Sequence, residues 1–72
     1  MAIRISIDIA SPPDREKLVA ELFVGTEQFA ELNTDSGELL LEVYPRQDGE
    51  PWRLSYAELL EALFHAKQRL VG

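Results

Sequence analysis

An α+β fold is predicted for this 72-residue chain: four antiparallel strands in a meander, order β-β-β-β-α, with one amphipathic helix packed on one sheet face. Three observations predict it. Isoleucines alternate with polar residues near the N-terminus, turn clusters divide the middle of the chain into short apolar runs, and the C-terminal segment repeats apolar residues at three- and four-residue spacing. With no linker and no internal repeat, residues 1–72 form a single domain.

Each element follows from local chemistry. Ile3, Ile5, Ile7 and Ile9 alternate with Arg4, Ser6 and Asp8, the period of a half-buried strand. Pro12 and Pro13 end it, since neither can donate a ladder hydrogen bond. In the run to Val24, Leu18, Ala20, Leu22 and Val24 share one side, and Val19, Glu21 and Phe23 the other. Gly25 ends that second strand; "QFAELN" is the third and "ELLLEVY" the fourth, with the turn cluster "TDSG" between them. "SYAELLEALFHAKQRL" is the helix: Ser55 is placed to cap it, Glu58 completes a capping box, and Lys67 and Arg69 suit the negative end of the helix dipole. Its apolar stripe is Tyr56, Leu59, Leu60, Leu63, Phe64 and Leu70.

Register follows from keeping carboxylates out of the core. A three-residue Gly25–Glu27 loop sets Leu22 against Ala30 and Phe23 against Phe29; a two-residue loop would bring Glu31 opposite Ala20, on the inner face. A four-residue Thr34–Gly37 loop sets Leu32 against Leu39 and Ala30 against Leu41. The inner face is then apolar throughout, and Ile5, Leu22, Leu41, Leu59 and Leu63 are expected in one core. The outer face carries Val19, Phe23, Phe29, Leu40 and Tyr44 with Glu21, Glu31 and Glu42 among them, and Arg4 or Lys17 as counter-ions. One helix cannot cover both faces, so an apolar patch rimmed by acids is expected to be a contact surface, in its simplest form a homodimer.

The stretch "YPRQDGEPW" joins sheet to helix. Pro45 stops the fourth strand, Asp48-Gly49 is a turn, and Trp52 is expected to fold back over the sheet–helix junction. Arg46, Arg53, Tyr44 and Trp52 are also residue types favoured at binding hot spots. The candidate interaction surface is therefore Phe23, Phe29, Leu40, Tyr44, Arg46, Trp52 and Arg53.

Composition excludes several function classes. Thirteen acidic against seven basic residues give a net charge of −6, which opposes nucleic acid and anionic membranes and favours cationic partners. No apolar run approaches the roughly 20 residues of a membrane span, and the alternating N-terminus does not look like a signal peptide, so a cytoplasmic location is expected. Without cysteine there is no disulfide and no thiolate zinc site. The single histidine, His65, falls on the solvent side of the helix near Glu61 and Arg69, without convergent partners. No serine stands in a nucleophile elbow, and there is no Gly-rich phosphate loop. Catalytic residues, metal and cofactor are all expected to be absent, and the chain reads as a non-enzymatic interaction module.

The segments "LVAELFVGTEQFAELN", "LLLEVYPRQDGEPW" and "LLEALFHAKQRL" resemble those of small stand-alone bacterial proteins, with the YPR-x-DG-x-PW string as the most specific part. In size, acidity and element order the chain is also similar to immunity proteins that neutralise toxins. That resemblance implies a second function, inhibition of a toxin through its basic surface, and implies no catalytic residue.

Overall fold

The computed structural model describes residues 4–72. Ile3, expected on the inner face, lies outside them. The elements are β1 (Ile5–Ala10), β2 (Val19–Val24), β3 (Glu27–Asn33), β4 (Leu40–Val43) and α1 (Tyr56–Val71). The strands form one antiparallel sheet in the order β1-β2-β3-β4, and α1 packs across β1 and β2. This is the expected meander with a C-terminal helix.

Parity is as expected: Ile5, Ile7 and Ile9 oppose Val24, Leu22 and Ala20. The β2–β3 turn differs. Its loop is two residues, since Val24 pairs with Glu27, and a bulge follows. Phe23 pairs with Gln28 and Leu22 with Ala30, so Phe29 is the extra residue. The bulge restores the register that a longer loop would give, and Glu31 still faces Glu21 rather than Ala20. Gly25 takes φ +63° in the turn, where a Cβ would be strained. The consequence falls on Phe29. It is 2% exposed and joins Ala20, Leu22, Ala30 and Leu32 in the core, which corrects its expected place on the outer face.

The β3–β4 connection is also longer than expected. Leu32 opposes Leu41 and Ala30 opposes Val43, so the loop runs from Thr34 to Leu39. The shift is two residues and leaves every side chain on its expected face. It carries β4 along, however, and Leu41 and Val43 end 44% and 61% exposed. Leu41 is therefore not part of the core, because the helix sits over the other half of the sheet. Leu18, expected inside, precedes β2 and is exposed.

The helix begins as its sequence dictates: the Ser55 hydroxyl accepts from the Glu58 N–H at 3.3 Å, and Gly72 closes the C-terminus with φ +84°. Its rotation is not that of the expected stripe. Ala62 and Ala66 are buried against the sheet, and Leu59, Leu63 and Leu70 flank them half-buried. Small residues at the centre let the helix approach closely. Tyr56, Leu60 and Phe64, roughly 100 to 180° around the helix from the two alanines at 3.6 residues per turn, are left exposed.

Candidate interaction surface

The outer sheet face is not the open apolar patch that parity alone implies. The β1–β2 connection, residues 11–18, reaches it with Arg15. The Arg15 guanidinium pairs through Nη2 with Glu31 at 2.8 Å and Glu42 at 3.0 Å, and through Nη1 with Asp35 at 3.3 Å. Asn33 Nδ2 donates to Glu31 Oε2 at 3.0 Å and also to Glu42 Oε2. Glu31 and Glu42 stand directly opposite each other, a like-charge pair that only an inserted cation makes favourable. Val19, Glu31 and Asn33 are buried here. Arg15 holds the position expected of Arg4 or Lys17. The readable signal was three glutamates converging on one face next to a connection long enough to cross it.

Burial would lower the Arg15 pKa, but the three carboxylates outweigh it and the guanidinium is held above its ordinary value. Burial first, and then Glu31 and Glu42, push the Tyr44 phenol upward; neighbouring Arg15 offsets part of this.

The candidate residues divide into two groups. Phe29, Trp52, Tyr44 and Arg46 come together at the 44–52 connection. The rings of Phe29 and Trp52 are 5.7 Å apart, Trp52 Nε1 donates to the Tyr44 carbonyl at 2.9 Å, and the Arg46 guanidinium lies 5.6 Å over the indole. Arg46 also pairs with Asp48 at 3.3 Å, and the Gln47 N–H donates to Glu27 Oε2 at 2.8 Å. Gly49 takes φ +79° in the turn, with the Glu50 N–H on Asp48 Oδ1 at 3.0 Å. The stretch "YPRQDGEPW" is thereby tied to the sheet or to itself at Tyr44, Arg46, Gln47, Asp48, Gly49, Glu50 and Trp52, and Trp52 packs against the core. Phe23 and Leu40 remain on the outer face, half-buried and 37% exposed respectively, and Arg53 is exposed beside the helix start.

The larger apolar surface is on the helix side. A groove of about 360 Å³ runs between α1 and β4, lined by Leu32, Leu39, Leu41, Leu63, Phe64 and Lys67. Phe64 is more than half exposed on the helix wall, and Leu60, half exposed, lies one turn before it; Leu41 and Val43 are exposed on β4. The signal in the sequence was the width of the helix stripe, since a helix resting on a sheet buries only part of so broad an arc. His65 is on the far side, 3.8 Å from Glu61, its ring edge-on to Phe64. Among the described residues no group of three or more histidine, aspartate or glutamate side chains is arranged to hold a metal, and no helix is long and apolar enough to cross a membrane. Comparison with known proteins finds no matching family model, curated protein or solved structure.

Proposed function

We propose that this chain is a non-enzymatic interaction module that works by protein contact. One observation carries the reading: exposed Phe64 of the helix and exposed Leu39 and Leu41 beside it line one apolar groove on an acidic chain, and Leu60 and Val43 of the same two elements are exposed as well. The outer sheet face is the weaker candidate, because Arg15 and the acids occupy its β3–β4 half. A Leu60→Ser, Phe64→Ser double variant tests the proposal. Both positions are exposed, so melting should change by only a few degrees, while association with partner or self should be lost. Unchanged association would remove the groove from consideration.

A second reading is an immunity-type inhibitor that meets the basic surface of a toxin. It is favoured by a row of acids across all four strands, in which Asp8 opposes Glu21, Glu21 opposes Glu31, and Glu31 opposes Glu42. Arg15 compensates the β3–β4 end, leaving exposed Asp8 and half-buried Glu21 at the other. Complementary charge would accelerate encounter with a cationic partner. Under this reading Asp8→Lys slows association with such a partner, and the Leu60, Phe64 double variant does not.

A further inference from the structure

The two open edges of the sheet differ. At β1, Arg69 reaches over from the helix and donates from Nη1 to the Ile7 carbonyl at 3.3 Å. At β4, among the described residues, no hydrogen bond from outside the sheet reaches the backbone of Leu41 or Val43. The Tyr44 N–H donates to the Phe29 carbonyl at 2.8 Å. Bonding alternates along an antiparallel pair, so Glu42 and Leu40 face β3, while Leu41 and Val43 turn their N–H and C=O groups to the free edge. Natural edges are usually blunted by shortness, charged side chains, proline or a bulge. The segment Leu40–Val43 is short and carries Glu42, but it has no lysine, no proline and no bulge, and Pro45 comes only after it.

We propose that this edge takes a second copy of the chain, paired antiparallel along β4 so that two four-stranded sheets become one. The inference rests on the contact-module reading and names its partner. The side-chain pattern is self-complementary, as a two-fold interface requires. Centring the axis on Leu41 sets Leu41 against its own mate and Leu39 against Val43 of the second copy. The helix-side row across the junction is then wholly apolar and continues the exposed floor of the groove. On the other face Glu42 meets Leu40. Moving the axis to Glu42 would set two carboxylates directly opposite each other, so charge selects the Leu41 register. The paired segment Leu39–Val43 is about 17 Å long at roughly 3.4 Å per residue. One ladder of five residues covers much less than the roughly 800 Å² per partner of a standard interface, so the dimer is reversible and concentration-dependent. With −6 on each copy, moderate salt strengthens it.

The natural absence of cysteine makes the register testable with single thiols. Sedimentation of the full chain over a range of concentrations should show a monomer–dimer equilibrium. Leu41→Cys should cross-link at least about tenfold faster than Val43→Cys. Opposed residues 41 lie roughly 5.5 Å apart between Cα atoms, within disulfide reach, whereas residues 43 of the two copies are about 14 Å apart. Leu41→Pro removes one outward N–H at a place where an edge strand tolerates proline, and should abolish the dimer with the circular dichroism spectrum preserved. Should that variant unfold, the cysteine pair decides alone. A monomer at every concentration overturns the second copy as partner. The contact-module reading would survive that result if the Leu60, Phe64 double variant lost a heterologous partner. A dimer that resists Leu41→Pro, with slow cross-linking at position 41, overturns the strand-edge geometry.

Discussion

Phe29→Ala and Phe23→Ala distinguish the bulged hairpin from the simple one. In a simple three-residue hairpin the two rings face each other across the outer face, and their truncations should have similar, modest effects. In the structure Phe29 is 2% exposed against Trp52 and the core, and Phe23 is half-buried. Truncating a fully buried phenylalanine costs about 3–5 kcal/mol, the transfer term plus the cavity. A partly exposed ring loses only part of the transfer term and leaves a smaller cavity, about 1–2 kcal/mol. Total stability for a chain of this length is about 4–11 kcal/mol, so Phe29→Ala removes a large fraction of it and lowers the melting temperature by more than about 12 °C. Urea denaturation followed by the fluorescence of Trp52, the only tryptophan, measures both variants. The wild-type emission should be blue-shifted in the folded state and move to the red in denaturant; Phe29→Ala should already be red-shifted when folded. Equal losses for the two variants, or a larger loss for Phe23→Ala, would refute the bulge and the burial of Phe29.

Other expectations follow from the outer face and the helix. Arg15→Met leaves buried Glu31 without its cation, so it should lower the melting temperature more than Arg46→Met does, and adding Glu31→Gln should recover part of the loss; equal effects at 15 and 46 would show that Arg15 is only a surface ion. The raised Tyr44 pKa means that the folded state holds its phenolic proton longer than the unfolded chain. Stability should be unaffected by this group below about pH 10 and fall as pH rises through its folded pKa, and Tyr44→Phe should flatten that fall in alkaline melting curves. Ser55→Ala should cost about 1 kcal/mol in urea denaturation through loss of the helix cap.

Local chemistry made much of the architecture legible. Isoleucine alternation, proline stops and the Ser55 cap each act over a few residues, and they place β1, the end of β1 and the start of α1. Parity arguments sorted most side chains to the correct face, because a shift of two residues at β4 and a bulge in β3 both preserve it. The same arguments could not place Phe29. A short loop with a bulge and a longer loop without one give identical pairing from Leu22 onward, and only the side of that ring differs. Coverage was also illegible. Arg15 meets Glu31 and Glu42 from 16 and 27 residues away, and the helix seats itself on Ala62 and Ala66 rather than on its largest side chains. Both outcomes depend on long-range packing, which periodicity within an element does not encode. For the candidate site, the anchored connection around Trp52 was readable from its turn residues, but the groove against β4 depended on how far the helix reaches across the sheet.

A regular strand directs alternate side chains inward, so its contribution to an interior is capped at half its length. The surplus residue in β3 lifts that cap: Phe29 and Ala30, consecutive in sequence, both enter the interior. A small domain cannot lengthen its strands without adding surface, and here one irregular peptide supplies an aromatic ring instead. Deleting that residue would leave every pair from Leu22 and Ala30 onward in place, yet the interior would lose its largest side chain. Indels at this hairpin therefore change how well the domain is filled without changing how it is wired.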